Sequence, residues 1–434
     1  MEVTPLEIRA SPEVSMTNRI SIRMSLASAS AVVERGSLMA LASGSSLSIS
    51  FSMFGSIMVR LASRKAVECQ ICSKKEGLIA QIIGICPDCI RKFPEKATTK
   101  AQETHASSRT PYDLPSSPLK GEGILCNQCA NQCKISEGKT GYCGVRTNVN
   151  GKIFSKAGEN KGFLHTYLDA LPTNCCSAYF CPGCTGAGYP KYAYSNRPER
   201  GYYNLAAFLY ACTFNCLFCQ NSSHKYVDSA PVMHVNEVVQ QAENNKRISC
   251  LCWFGGSPEP QLPFALEVSQ LAFEQITSQR IFRICWEWNG GGNPLLVKKA
   301  VSLSLESGGN AKFDLKCFNP TLSKVLLGVE SKRSFDNFRM CAEEFYDKRS
   351  EPVLTATTLL VPGYVDEIEV GAIAQFIADL DPSIPYSLLV FYPQWMLSDL
   401  PFTPHNQVEK CYQAAKKYVK HVHIGNKHLL GLSY

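Results

Sequence analysis

Apolar residues follow a regular pattern only in the C-terminal half of the chain. Helical stretches with one apolar face alternate there with short apolar runs that have the length of buried strands. The runs cover residues 204–211, 248–254, 280–288, 312–318, 353–361 and 385–392. Strands that are apolar on both faces, each followed by a helix, indicate a parallel sheet covered by helices. We therefore predict an α/β fold over residues 202–434, a partial (β/α)6 barrel of the TIM type, with ligands at the carboxyl ends of its strands.

The N-terminal half lacks this periodicity and divides by composition. Residues 1–60 are rich in serine and alanine, and we predict a disordered or spurious N-terminal extension. A signal peptide is disfavoured because acidic residues precede the apolar runs and serines interrupt them. Residues 67–93 hold two pairs of cysteines and predict a zinc-ribbon-like module. The polar residues 94–119 predict a linker, and residues 120–201 form a cysteine-rich segment.

Composition adds one unusual feature, the cysteines. The chain of 434 residues is 45% hydrophobic and 19% charged, as globular proteins are, but it contains 21 cysteines. Most of them are grouped at gaps of two or three residues, which indicates metal binding in a reducing compartment, so we expect a cytoplasmic protein. No apolar run approaches the roughly 20 residues of a membrane span, and no membrane partner is expected. Nucleic acid is also not an expected partner, because no run of Lys and Arg is interleaved with aromatic residues.

Three cysteines fall where the first predicted strand should end. They are Cys212, Cys216 and Cys219, in a C-x3-C-x2-C pattern with Phe218 beside the last. Three thiolates on a tight loop can each bind one iron of a [4Fe–4S] cube, whose usual ligand set is four cysteines. One iron would then stay open for chemistry, as a catalytic zinc keeps an open position. The alternative of three purely structural cysteines explains this spacing poorly.

The sequence from Cys212 to Asn221 resembles the cysteine signature of the radical S-adenosylmethionine (SAM) enzymes, and the chain most resembles the branch of pyruvate formate-lyase activating enzymes. The resemblance implies a partial β/α barrel in which the amino and carboxylate groups of SAM chelate the open iron. It implies that an electron from the cluster cleaves SAM to methionine and a 5′-deoxyadenosyl radical, which abstracts hydrogen from a substrate. It also implies oxygen sensitivity and a one-electron donor of the flavodoxin or ferredoxin type.

The second predicted strand ends in a glycine-rich turn, Gly255-Gly256-Ser257-Pro258. It resembles the family motif whose backbone carbonyls receive the amino group of SAM, although Ser257 stands where that motif often has an acid. Glycines suit such a place because they carry no Cβ to block a close approach. No side chain is assigned a catalytic role beyond the cluster-bound SAM.

Two further polar pairs fall near the ends of predicted strands. Glu287 and Asn289 end the third strand, where the family has a polar contact to SAM; a simple strand-end turn is the alternative. Asp314 and Lys316 alternate with apolar residues on the fourth strand and share one face. Their burial without partners would cost several kcal/mol, which argues for cofactor contact or for a structural ion pair.

The remaining cysteine groups lie upstream. Cys69, Cys72, Cys86 and Cys89 form two C-x2-C pairs that suit tetrahedral Zn²⁺. A second group could hold zinc or an Fe–S cluster, since thiolates alone do not choose between them; it is Cys126, Cys129, Cys133 and Cys143. A third group predicts an auxiliary cluster, or else loop cysteines without metal; it is Cys176, Cys181 and Cys184. Cysteines without ligand spacing, such as Cys250, Cys252 and Cys285, are interpreted as buried apolar residues.

These residues predict a radical SAM enzyme acting on a substrate such as a glycyl residue of a partner protein. The first alternative is modification of a small molecule, peptide or RNA with the help of an additional metal centre. The second is a metal-dependent sensor or scaffold without catalysis, which the intact cysteine and glycine motifs disfavour.

Overall fold

The computed structural model describes residues 67–173 and 175–431, which belong to one compact unit. The prediction for residues 1–60 lies outside the described residues. Ten helices are formed in the described part: α1 (Pro87–Lys92), α2 (Pro94–Arg109), α3 (Pro182–Thr185), α4 (Val235–Asn244), α5 (Leu262–Ile276), α6 (Pro294–Ser307), α7 (Pro320–Leu327), α8 (Lys332–Phe345), α9 (Glu367–Ala378) and α10 (His405–Lys416). None of these has both the length and the apolar content needed to cross a bilayer.

The strands of the described residues form one large sheet and two small hairpins. They are β1 (Ile124–Leu125), β2 (Lys134–Ile135), β3 (Arg146–Val149), β4 (Lys152–Ser155), β5 (Lys161–Ala170), β6 (Tyr203–Leu209), β7 (Val232–His234), β8 (Ile248–Gly255), β9 (Arg283–Trp288), β10 (Ala311–Asp314), β11 (Leu354–Leu360), β12 (Tyr386–Val390) and β13 (Val422–Gly425). The large sheet has the order β13-β12-β11-β10-β9-β8-β6-β5-β7.

The predicted partial barrel is confirmed. The strands β6, β8, β9, β10, β11 and β12 are the six predicted from the sequence, and they pair in parallel in that order. The strand β13 extends the parallel series, while β5 and β7 add antiparallel pairings at the other side. The sheet stays open, because β13 and β7 are its two edges within the described residues.

Side-chain alternation along β8 and β9 decides what faces the interior. Trp253 and Trp286 point toward the helices, where their indole nitrogens donate to Ser269 Oγ at 2.8 Å and to the Ala300 carbonyl at 2.9 Å. Their neighbours in sequence, including Cys252 on β8, therefore face the concave side of the sheet. The interior of the barrel thus receives polar and thiol side chains, and the apolar core lies between sheet and helices.

The prediction of a linker over residues 94–119 is wrong for its first part, which is the 16-residue helix α2. Its buried face includes Ala97, Ala101 and His105, which recur every four residues. These side chains are small or polar, so the hydrophobic pattern of the sequence does not reveal their helical period. The helix lies against α7.

The cysteine-rich segment passes through the interior of the barrel near residues 175–184. Cys175 Sγ donates to Glu287 Oε1 on β9 at 3.0 Å, and Ser387 Oγ on β12 donates to the Cys176 carbonyl at 2.9 Å. Tyr179 stacks on His423 of β13 with ring centroids 4.4 Å apart. Because these strands are well separated in the sheet, the segment must cross its concave face.

Candidate active site

The loop with Cys212, Cys216 and Cys219 begins just beyond β6 and is held from two sides. Its backbone donates from Asn215 N to the Leu327 carbonyl at 2.8 Å and from Leu217 N to the Leu326 carbonyl at 2.9 Å, at the end of α7. The side chain of Asn215 donates to His105 Nδ1 at 2.8 Å and to Ser108 Oγ at 2.9 Å, both on α2. The helix that the sequence did not predict therefore supports the cysteine loop.

His105 and Lys225 complete this support. His105 Nε2 lies 3.0 Å from the Val325 carbonyl, so it carries the proton and leaves Nδ1 to accept from Asn215. Burial lowers the pKa of His105 to about 4, which keeps the ring neutral. Lys225 Nζ donates to Asn215 Oδ1 at 2.6 Å, and this ammonium is buried near the three thiols. Sequence analysis assigned no role to these three residues: His105 and Lys225 stand in no motif, and Asn215 is a position of the cysteine signature that binds no metal in the prediction.

A cavity of about 230 Å³ opens at the carboxyl ends of the parallel strands, beside the cysteine loop. The predicted site residues that line it are Cys176, Cys212, Cys216, Cys219, Gly255, Gly256, Glu287, Asn289, Asp314 and Lys316. Ser257 and Pro258 are buried and are not among its lining residues. The roles of all these residues as cofactor contacts stay predictions.

The turn at Gly255 and Gly256 packs directly on the end of β6. A Cβ on Gly256 would lie 1.9 Å from the Ala211 carbonyl oxygen, and one on Gly255, whose φ is +112°, would lie 2.6 Å from the Leu209 carbonyl oxygen. Asn221 Nδ2 donates to the Gly255 carbonyl at 3.1 Å. The glycines are thus required by contact with the neighbouring backbone, which brings the turn against the cysteine loop.

Ser257 and Glu259 tie this turn to the loop after β9. The Ser257 hydroxyl hydrogen bonds to the Glu259 carboxylate and accepts from Asn289 N at 3.1 Å. Glu259 Oε1 also accepts from Gly291 N at 3.2 Å. Burial raises the pKa of Glu259, which lies fully inside the protein. These two residues act as an internal brace behind the cavity.

The donor set around the cavity fits an iron–sulfur cluster and a polar ligand. Cys212 Sγ accepts from Asn289 Nδ2 at 3.2 Å and from Phe214 N at 3.4 Å, as a thiolate ligand would. Burial raises the pKa of the free Cys212 thiol to about 11, so bound metal would have to displace its proton. Two further buried polar atoms of lining residues, His224 Nδ1 and Thr357 Oγ1, have no hydrogen-bond partner among the residues that the structure describes.

Charged side chains from β9 and β10 form a network on one wall of the cavity. Asp314 accepts from Lys312 Nζ at 2.8 Å and from Lys316 Nζ at 2.7 Å, and Lys312 also lies 3.4 Å from Glu287. Burial alone would raise the pKa of Asp314, but the two ammonium groups outweigh it and hold the pKa at about 2. The predicted contact between Asp314 and Lys316 is present. Lys312 was missed, although it continues the same alternation along the strand.

Replacing Asp314 by asparagine is expected to lower the free energy of unfolding by about 3 kcal/mol, because two buried ammonium groups lose their shared carboxylate. Chemical denaturation measures this change. Asp336→Asn is the matched control: its pair with Lys332 spans 2.7 Å but is exposed on α8, so its loss should cost under about 0.5 kcal/mol. Equal effects in the two variants would contradict the network.

The N-terminal module brings its four cysteines into one group. The sulfurs of Cys69, Cys72, Cys86 and Cys89 all lie within 4.8 Å of one another, so they could hold a metal ion. The choice of zinc stays a prediction. The module docks on the loop after β11, where Arg91 pairs with Asp366 at 2.9 Å.

Removing metal from this module is expected to loosen α1 and α2 and, through His105, the cysteine loop. Cys89→Ser should lower the free energy of unfolding by at least about 3 kcal/mol and reduce the iron content of the protein. The control is Cys411→Ser on α10. Cys411 is buried and belongs to no group of potential metal ligands within the described residues. The prediction is tested by metal analysis and by the rate of hydrogen exchange in α2. An unchanged exchange rate in Cys89→Ser would contradict the proposed coupling between the module and the cysteine loop.

The second upstream group lies over the active-site loops. Ala130 N donates to the Gly291 carbonyl at 2.9 Å, and Asn131 Nδ2 donates to the Thr213 carbonyl at 2.7 Å. Cys126 and Cys133 join β1 and β2 through a backbone hydrogen bond of 2.8 Å. Burial and the nearby thiols of this group raise the pKa of Cys129. The role of Cys126, Cys129, Cys133 and Cys143 as metal ligands stays a prediction.

The first parallel strand of this open α/β barrel is followed by three thiols, an arrangement suited to a cysteine-ligated cofactor at the carboxyl ends of the strands. The family model of the Radical SAM superfamily matches residues 207–376. Residues 207–376 therefore carry a radical SAM domain, and such a domain implies a [4Fe–4S] cluster and SAM.

Known proteins resemble the chain at modest levels. An uncharacterized protein of Methanocaldococcus jannaschii, MJ0808, is 26% identical over 323 residues, which cover 71% of this chain and 83% of that protein. A domain of pyruvate-formate lyase-activating enzyme from Bacteroides vulgatus is 20% identical with a TM-score of 0.32, covering 40% of this chain and 98% of that domain. SuiB of Streptococcus suis, solved with S-adenosylmethionine, is 13% identical with a TM-score of 0.36, covering 51% of each chain.

Proposed function

We propose that the protein is a radical SAM enzyme whose cluster is bound by Cys212, Cys216 and Cys219. The observation that carries the proposal is the convergence of three thiols, a Gly-Gly turn and two unpartnered buried polar atoms on one cavity. When bound, the cluster and SAM supply a 5′-deoxyadenosyl radical that abstracts hydrogen from a substrate. The side chains of the protein bind and orient the ligand and exclude water from the site.

The cavity wall orients a zwitterionic, hydroxylated ligand. Asp314 remains ionised down to a pH of about 2, so it can accept hydrogen bonds from ammonium or hydroxyl groups at any physiological pH. Asn289 fixes the Cys212 sulfur through a hydrogen bond of 3.2 Å. The rings of Phe214, Phe218 and Phe254 line the same cavity and exclude water from the reacting atoms.

The proposed substrate is a glycyl residue of a partner protein, with a flavodoxin or ferredoxin as the electron donor. This part of the proposal is supported by the sequence resemblance to activating enzymes, including Asp314-Leu-Lys316. A second candidate is modification of a peptide or small molecule with an additional metal centre. It is favoured by a second cavity in the barrel, which is lined by cysteines.

The test is anaerobic reconstitution with iron and sulfide, followed by addition of SAM and dithionite. We expect 5′-deoxyadenosine and methionine in equal amounts above a protein-free blank. Glycyl-radical formation in an added partner protein, followed by electron paramagnetic resonance, then separates the two substrate classes. A fully loaded protein that yields no 5′-deoxyadenosine would refute the proposed chemistry.

A further inference from the structure

A second cavity, of about 310 Å³, lies deeper in the barrel, on the amino-terminal side of the active-site cavity. Seven of its 18 lining residues are cysteines. Cysteine makes up 21 of the 434 residues, so chance would place about one cysteine among 18. The two cavities share Cys176, Phe254 and Glu287, so they adjoin.

The thiols reach this cavity from three separate parts of the chain. Cys181 precedes the short helix α3 and Cys184 lies within it, and Cys184 N donates to the Cys181 carbonyl at 3.0 Å. Cys250 lies on β8 and packs against both of them. Cys285 lies on β9, directly opposite Cys252 in the parallel register. The sequence separations hide this grouping, which only the sheet creates.

A fully buried arginine is aimed at this group. Arg283 donates from Nε and a terminal nitrogen to Cys250 Sγ at 3.2 and 3.1 Å. The guanidinium is held in place by Glu199, whose two carboxylate oxygens accept hydrogen bonds from its terminal nitrogens at 2.8 and 2.6 Å. A guanidinium held in this way supplies two hydrogen bonds to the Cys250 sulfur, the kind of contact that metal-bound sulfurs receive from neighbouring donors.

Two polar atoms lining the cavity have no hydrogen-bond partner in the described part of the chain. They are Ser177 Oγ and Asn204 Oδ1, on residues that are only 3% and 8% exposed. A buried polar atom without a hydrogen bond costs about 1–3 kcal/mol, so native proteins leave few of them. Their presence in a thiol-lined cavity indicates that the cavity has an occupant.

We propose that Cys181, Cys184, Cys250 and Cys285 bind an iron–sulfur cluster inside the barrel. A single tetrahedral ion with metal–sulfur bonds of about 2.3 Å needs sulfurs roughly 3.8 Å apart. Among the described residues, only the four N-terminal cysteines form a group of three or more with every ligand atom within 4.8 Å. Cys181 and Cys184 are in side-chain contact with each other, but no three thiols of this cavity form such a group, so the set as a whole is too widely spaced for one ion and suits a cluster.

The other thiols of the cavity are less suited as ligands. Cys175 Sγ already donates to Glu287 Oε1 at 3.0 Å, and Cys252 Sγ lies 3.7 Å from the same oxygen. A carboxylate so close would repel an anionic cluster. Cys176 also lines the active-site cavity, which Cys250 and Cys285 do not. The ligand set therefore keeps Cys181 and Cys184 of the sequence-based prediction and takes Cys250 and Cys285 in place of Cys176. The inference does not depend on the proposed function.

The test compares two anaerobically reconstituted full-length variants. The first carries Cys212→Ala, Cys216→Ala and Cys219→Ala; the second adds Cys250→Ser and Cys285→Ser. We expect the first to retain a reducible cluster, and the second to bind about four fewer iron and sulfide ions per chain. Mössbauer and electron paramagnetic resonance spectra identify the cluster. Equal iron in both variants, or a difference found in zinc instead, would overturn the proposal.

Two controls keep the result interpretable. Adding Cys341→Ser and Cys411→Ser to the first variant changes two buried cysteines outside the cavity and should leave iron unchanged. If the strand substitutions unfold the protein, Cys181→Ser and Cys184→Ser remove ligands from a loop instead, and the same loss of about four irons is required. A wild-type protein inactive toward SAM would refute the proposed function and leave this comparison intact.

Discussion

Replacing Cys216 by alanine is expected to abolish cluster binding at the cysteine loop and to lower 5′-deoxyadenosine formation by more than about 100-fold. Losses of 10–100-fold are usual for residues that merely support a metal ligand, so loss of a ligand should exceed them. Cys216 lies between Cys212 and Cys219 on the loop. Apart from these three, Cys176 is the only cysteine of the described residues that lines the cavity and could take its place. Iron content, the visible absorption of the cluster and product formation should therefore fall together.

The matched control for Cys216→Ala is Cys341→Ala. Cys341 is fully buried on α8 and does not line either thiol-bearing cavity, so its loss costs packing only. That variant should lose about 1 kcal/mol of stability and keep its iron and its product formation. If Cys216→Ala retained the wild-type rate of SAM cleavage, the cysteine loop would not be the cluster site.

The fold was predictable where the hydrophobic periodicity of the elements and the positions of the sequence motifs indicate the same arrangement. The six parallel strands are short, largely apolar runs that alternate with helices, so their order along the sheet follows from short right-handed connections. The cysteine loop and the Gly-Gly turn come at strand ends, and parallel strands bring such ends together. The helix α2 was missed because its buried face consists of Ala97, Ala101, His105 and similar small or polar residues, which carry no apolar signal.

Part of the site was not predictable, because its residues meet only through the tertiary fold. His105, Asn215 and Lys225 support the cysteine loop through hydrogen bonds between distant segments. Cys250 and Cys285 were interpreted as apolar core residues, since ligand spacing is visible only within a loop. Strand register places their side chains in a shared interior, and register cannot be read from residue spacing.

Replacing Gly256 by alanine is expected to lower the free energy of unfolding by more than about 4 kcal/mol. The added Cβ would lie 1.9 Å from the Ala211 carbonyl oxygen and 2.8 Å from His224 Cγ. The first contact is with backbone, so no side-chain rotation relieves it, and the turn must move away from the end of β6. The backbone of Ala211 cannot shift easily to relieve this contact, because its own φ is +75° and it directly precedes Cys212. Cluster content should therefore fall together with stability.

The control is Gly371→Ala in the middle of α9, where the nearest atom to the new Cβ is Ala414 Cβ at 3.9 Å. Alanine is the better helix former, so this variant should be stabilised by about 0.5–1 kcal/mol. Denaturant unfolding and iron analysis of both variants separate a general effect of glycine replacement from the specific contact at Gly256. A Gly256→Ala protein with wild-type stability and a full cluster would show that the turn does not pack against the cysteine loop. That result would also contradict the fixed geometry of the proposed SAM site.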